Sequence, residues 1–158
     1  MASPKTIVID CDGVLTNGKV RYTVEGTRSK EFHSRDIPAI KRLIAAGFTI
    51  WIVSKSSWYG LKHFVKRTGA NYVLGVKDKA EWARRVLQGE PFIAVCDDYD
   101  DLELCKMADS VLVPADASNL LTDALSRNDW KMLCNNVGGS GVVEAIERVL
   151  KSEKCQPL

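Results

Sequence analysis

The chain has 158 residues, a formal net charge of +2 and a charged fraction of 27%, the proportions of a soluble globular domain, with too little basic excess to argue for a nucleic-acid or membrane partner. No apolar run approaches the roughly 20 residues of a membrane helix, and the start "MASPKT" has no apolar signal-peptide region. The five cysteines, Cys11, Cys96, Cys105, Cys134 and Cys155, form no CxxC pair; that suits reduced thiols in a cytoplasm better than a disulfide framework or a zinc site.

In chain order, "TIVID" is the first expected strand, and it ends in Asp10-Cys11-Asp12-Gly13. The segment "GKVRYTVEGTRSKEFH" lacks helical periodicity and is expected to form a small β-hairpin insertion, about 17–34, turning at Glu25-Gly26. Its alternation puts Val20, Tyr22 and Val24 on one face and Lys19, Arg21 and Thr23 on the other. The first face suits burial between subunits, and Arg21 is placed to face an anionic ligand. Ile37, Ile40, Leu43 and Ile44 then recur at helical spacing. "FTIWIV" is the second main strand, ending at Ser54, and Trp58, Leu61 and Val65 mark the next helix. "NYVLG" leads to Lys79 at the start of a helix carrying Trp82 and Val86. "FIAVC" ends in Asp97 and Asp98 with Asp101 behind them, and "SVLVP" is the last expected strand. Val142, Val143, Ile146, Val149 and Leu150 mark a closing helix behind the glycines of "GGSG". Continuously apolar strands alternating with amphipathic helices imply an α/β class. The expected architecture is a Rossmann-like, mainly parallel sheet with helices on both faces, in a single domain over 1–158 without a cap domain.

In such sheets ligands bind beyond the carboxyl ends of the strands. Those ends here carry Asp10, Asp12, Ser54, Asp97 and Asp98, with Lys79 nearby. Clustered carboxylates repel unless a cation neutralises them, and a few hard oxygen ligands with space for phosphate suit Mg²⁺. Each piece also has a plainer reading. A "DG" after a strand is a common hairpin turn. Ser54 fits as the cap of a helix beginning near Ser57. Lys79 fits as a solvated helix residue, and "DDYDD" as an acidic helix start. The joint order of DxDG, Ser, Lys and DDxxD is what favours a site.

That order resembles the haloacid dehalogenase superfamily of aspartate-nucleophile phosphohydrolases, and within it the 3-deoxy-D-manno-octulosonate 8-phosphate phosphatase family. "DCDGVLTNG" resembles DxDGVLTDG, "KEFHSRD" resembles KxFxxRDG, and "CDDYDDL" resembles GDDxxD. "VSKSS" is similar to the apolar run closed by Thr or Ser, "KDKAEW" supplies the lysine, and "GGSGVVEAI" is similar to a GGxGAVRE tail. The resemblance implies that Asp10 is the nucleophile and Asp12 the general acid/base, with Ser54 and Lys79 holding the transferring phosphoryl group. It makes Arg35 a substrate-binding candidate, Asp98 and Asp101 supporting acids, and Asp10, Asp97 and the backbone carbonyl of Asp12 the Mg²⁺ ligands. It also implies a homotetramer and a phosphorylated sugar acid (octulosonate or nonulosonate phosphate) as substrate.

The departures are specific. Cys96 and Lys55 stand where glycines are usual, Asn17 replaces an aspartate, and Ile37 replaces the glycine of "RDG". Ser140 and Glu144 stand where the resembling tail carries arginines that help a neighbouring subunit hold its anionic substrate. Three alternatives therefore stay open. One is a phosphatase for another small phosphomonoester, such as a nucleotide or sugar phosphate. Another is a receiver-type phosphoacceptor domain, which would need adjacent acids after the first strand and its lysine after the last acidic strand end. The third is a non-catalytic binding relative.

Overall fold

A computed structural model describes residues 4–125, 130–133 and 136–154. β1 (Thr6–Asp10) leads through a tight turn to a short antiparallel ribbon, β2 (Arg21–Tyr22) with β3 (Arg28–Ser29). The chain then alternates through α1 (Asp36–Ala45), β4 (Thr49–Val53), α2 (Leu61–Val65), β5 (Asn71–Val73), α3 (Lys79–Leu87) and β6 (Phe92–Val95). It ends with α4 (Leu102–Met107), β7 (Ser110–Pro114), α5 (Asn119–Ala124), β8 (Trp130–Leu133) and α6 (Val142–Lys154).

The main sheet has the order β5-β4-β1-β6-β7-β8, and every adjacent pair is parallel. The chain winds outward from β1 in one direction, then returns to its other side at β6. That reversal opens a crevice at the carboxyl ends of β1 and β6.

The period of a strand assigns each residue a face. Ile7 and Ile9 are fully buried in one core with α1, α2 and α6; Val8 is buried in the other with α3, α4 and α5. Burial on both sides is why the central strand reads as an unbroken apolar run. Each such side chain contributes about 1.5–3 kcal/mol. Asp10 is in phase with Val8, so it leaves the strand on the α3 side, where Lys79 begins its helix.

Several expectations need correction. β8 is a sixth strand that the apolar pattern misses, because its edge position leaves Lys131 and Met132 exposed. Val86 is 39% exposed: the buried stripe of α3 runs through Ala80, Ala83 and Leu87, and Val86 lies on its flank. Trp58 precedes α2 instead of joining it, and folds over Gly60, where an added Cβ would come within 2.2 Å of the indole. The hairpin pairs only two residues per strand, and Tyr22 and Val24 stand exposed on it. Cys11, Cys96 and Cys105 are free and buried; Cys134 and Cys155 lie outside the described residues. Among the described residues no helix is long and apolar enough to cross a membrane.

Candidate active site

Strand register builds the site. Asp10 pairs with Val53 of β4, so Ser54 emerges one residue beyond it; Ile9 pairs with Val95 of β6, so Asp97 emerges on the other side. The turn after β1 runs from Cys11 to Leu15 and is closed by the N–H of Thr16 donating to the carbonyl of Cys11 at 3.1 Å. Gly13 sits in it at φ +83°, a conformation L side chains avoid. A Cβ there would fall 1.7 Å from Asp97 Oδ2. Glycine thus lets the Asp97 carboxyl group lie directly against the turn that carries Asp12.

The resulting cavity, of about 280 Å³, is lined by Asp10, Asp12, Ser54, Lys79, Asp97 and Asp98, among others. Lys79, 4% exposed, donates from Nζ to Asp10 Oδ1 at 2.5 Å and to Asp101 Oδ2 at 2.7 Å. Burial opposes the Lys79 charge, but Asp10 and Asp101 outweigh it and raise its pKa. Burial pushes Asp10 up to about 6, with Lys79 offsetting part of the effect. Burial and then the facing Asp10 push Asp97 up to about 8. Around Lys79 the acids outnumber the charge that can neutralise them, since its one ammonium is shared between Asp10 and Asp101 while Asp97 faces Asp10. Among the described residues no three His, Cys, Asp or Glu side chains converge into a ready ligand cage. The donor set is instead two facing carboxyl groups, Asp10 and Asp97, beside the turn that bears the carbonyl of Asp12. That hard-oxygen set, with positions left for phosphate and water, fits Mg²⁺.

Ser54 is 2% exposed and caps no helix: its Oγ accepts the N–H of Ser56 at 3.2 Å, while α2 begins only at Leu61. Asp98 accepts the N–H of Tyr99 at 2.7 Å and starts the turn into α4. Asp101 is almost fully buried, and its Oδ1 has no partner. Lys55 reaches across the cleft to Asp100 at 2.9 Å.

Arg35 is not brought to the cleft. Its side chain is largely exposed and pairs with Glu144 at 3.2 Å, at the start of α6. The residue that sequence reasoning missed is Lys30. Its side chain is 5% exposed, and Nζ donates to both oxygens of Asp12 at 2.7 Å while lying 5.4 Å above the Trp58 ring. The signal that could have found it is its place as the first residue of "KEFHSRD", the lysine of the resembling KxFxxRDG pattern; the return of the hairpin over the Asp12 turn is what buries it.

No family model matches the chain. The chain is 27% identical over 168 residues to the 3-deoxy-D-manno-octulosonate 8-phosphate phosphatase of Haemophilus influenzae, covering 95% of this chain and 93% of that protein. The cobalt-bound structure of the Haemophilus influenzae deoxy-D-mannose-octulosonate 8-phosphate phosphatase superposes with a TM-score of 0.82 at 24% identity, over 94% of this chain and 88% of that one. The Moraxella catarrhalis 3-deoxy-D-manno-octulosonate 8-phosphate phosphatase, in complex with a magnesium ion, a phosphate ion and KDO, superposes with a TM-score of 0.84 at 21% identity, over 94% of this chain and 86% of that one. By fold and by cleft the chain resembles the phosphatases of the haloacid dehalogenase superfamily. Within that superfamily it resembles the 3-deoxy-D-manno-octulosonate 8-phosphate phosphatases.

Proposed function

We propose that the protein is a magnesium-dependent phosphomonoester hydrolase that works through an aspartyl-phosphate on Asp10. The carrying observation is Asp10 itself: it ends the central strand at the crevice, bound by Lys79 at 2.5 Å and faced by Asp97. A carboxylate oxygen of Asp10 attacks phosphorus as the ester P–O bond breaks, and the Asp12 carboxyl group gives its proton to the leaving oxygen. Water then attacks the phosphorus of the acyl-phosphate, its proton passes to Asp12, and phosphate leaves with Asp10 restored. Ser54 and Lys79 hold the phosphoryl oxygens, so that positioning and charge stabilisation supply most of the rate. Mg²⁺, held by Asp10, Asp97 and the carbonyl of Asp12, supplies further neutralisation of the phosphoryl charge. Asp98 and Asp101 support this set: the first shapes the turn after β6, the second anchors Lys79.

For substrate we propose a phosphorylated sugar acid of the octulosonate or nonulosonate type, supported by the similarity to the Haemophilus and Moraxella phosphatases. One observation favours a second reading, a small phosphomonoester without a carboxylate. Glu144, a carboxylate where the resembling tail carries an arginine, neutralises Arg35 at 3.2 Å. We further propose a cytoplasmic homotetramer, in which a neighbour covers the exposed face of the hairpin. That arrangement would screen a reactive acyl-phosphate from water without a cap domain.

A panel of phosphomonoesters with Mg²⁺ tests the reading, with sugar-acid phosphates set against neutral sugar phosphates and nucleotides. The expected result is the highest kcat/KM on a sugar-acid phosphate and no turnover by Asp10→Asn checked for deamidation. Wild-type turnover by that variant would sink the covalent mechanism. A preference for neutral esters would select the second substrate reading.

A further inference from the structure

Asp12 has a demanding task and a poor natural hold on its own orientation. It sits in the turn after β1 with non-helical φ −78° and ψ 126°, and its side chain is 36% exposed. Its carboxyl group, on a single methylene, rotates freely unless something grips it. The only grip within the turn is the Thr16 hydroxyl, which donates to Oδ1 at a long 3.4 Å. Lys30 supplies a much firmer one, arriving from the end of the hairpin, 18 residues away. Its ammonium bonds both carboxyl oxygens at 2.7 Å and has no other hydrogen-bond partner among the described residues. Trp58 covers it from the side, with its ring centroid 5.4 Å from Nζ. Phe32 and Phe64 stack behind that indole, with Phe32 centred 6.0 Å from Trp58 and 4.3 Å from Phe64.

We propose that Lys30 is the positioning residue for Asp12, fixing the carboxyl group that exchanges a proton with the leaving oxygen. The proposal rests on the proton-transfer role given to Asp12 above. Two bonds from one ammonium set both χ angles of Asp12, and the aromatic wall fixes the ammonium in turn. A carboxyl group has about four lone-pair sites, so with Lys30 on both oxygens and Thr16 on Oδ1 a site on Oδ2 stays open for the proton. Misplacing a proton donor by about 1 Å can cost on the order of 100-fold in rate. The insertion after β1 thereby acts on the chemistry through a single side chain.

The test compares kcat/KM for an alkyl phosphate and for p-nitrophenyl phosphate. This ratio reports only the steps through the first P–O cleavage, and the aryl leaving group needs no proton there. Lys30→Met keeps the stem on Trp58 and removes only the ammonium. It is expected to lower kcat/KM about 30-fold or more on the alkyl ester and under about threefold on the aryl ester, with Lys30→Arg recovering most of the difference. Lys30→Gln and thermal melts accompany it, so that misfolding, which would slow both esters alike, is recognised. An equal loss on both esters by folded Lys30→Met overturns the proposal, as does a rise in KM at unchanged kcat, which would make Lys30 a substrate contact. Asp12→Asn is the control. If it shows no leaving-group dependence, the role of Asp12 itself fails; if it does and Lys30→Met does not, only the positioning proposal fails.

Discussion

Asp36 Oδ1, in the first turn of α1, accepts the backbone N–H of Val143 at 2.9 Å and so caps the start of α6, 107 residues later in the chain. The same oxygen accepts the N–H of Glu144 at 3.4 Å, while Oδ2 is buried without a partner. One carboxylate therefore locks the closing helix onto the helix that follows the hairpin. Because it is fully buried, its pKa is pushed up to about 6 despite those two bonds.

Asp36→Ala strands the first amides of α6 and is expected to cost roughly 1–2 kcal/mol in a urea melt. The pH dependence has a definite sign. With a folded pKa of about 6 against roughly 4 unfolded, the native state binds the extra proton between these values. Stability from this group therefore rises as pH falls through 6 toward 4. Glu147 acts oppositely: Arg42, at 2.8 Å, holds it down at about 2, so its contribution is full above its ordinary pKa and is lost as pH falls through 2. Between pH 7 and 5, wild type is expected to gain roughly 1 kcal/mol more than Asp36→Asn. Identical pH profiles for the two proteins would contradict this.

Lys79 joins a chemical role to a structural one, and the two can be separated. Lys79→Met leaves Asp10 and Asp101 buried without their cation, for an expected loss of roughly 3–5 kcal/mol and no measurable turnover. Adding Asp101→Asn removes one of the stranded charges. The double variant is expected to recover part of the stability and none of the activity. If stability and activity returned together, Lys79 would be needed only for folding.

Gly13 and Asp97 make a linked prediction about the cation. Gly13→Ala forces a side chain to φ +83° and onto Asp97 Oδ2, which costs about 1–2 kcal/mol for the backbone alone. It also moves a proposed ligand. Mg²⁺ is expected to raise the melting temperature of wild type but not of Gly13→Ala or Asp97→Asn, and Ca²⁺ is expected not to restore turnover, since it prefers more ligands at longer distances. Full wild-type activity in excess chelator would refute the metal assignment.

The hairpin carries the prediction on assembly. Val20 is 37%, Tyr22 65% and Val24 100% exposed in the isolated chain, and a ribbon pairing two residues per strand is marginal by itself. Light scattering at micromolar concentration is expected to give four chains, with Tyr22→Asp dissociating them and lowering turnover. A fully active single chain would end the proposal.

The sequence alone determined the order of five main strands, the ends at which Asp10, Ser54 and Asp97 emerge, and the helix that begins at Lys79. All of these follow from local rules: a two-residue period, apolar runs buried on both faces, and a helix start behind a turn. What only the tertiary structure decided depends on contacts between segments far apart in the chain. β8 was illegible because an edge strand needs no continuous apolar run when it pairs on one side only. Arg35 looked like a substrate cation until α6 brought Glu144 against it. Lys30 opened the "KEFHSRD" motif without a role until the hairpin folded back and buried its ammonium between Asp12 and Trp58. Local pattern fixes which atoms a strand end presents; which charges meet there is a property of chain crossings that no short stretch encodes.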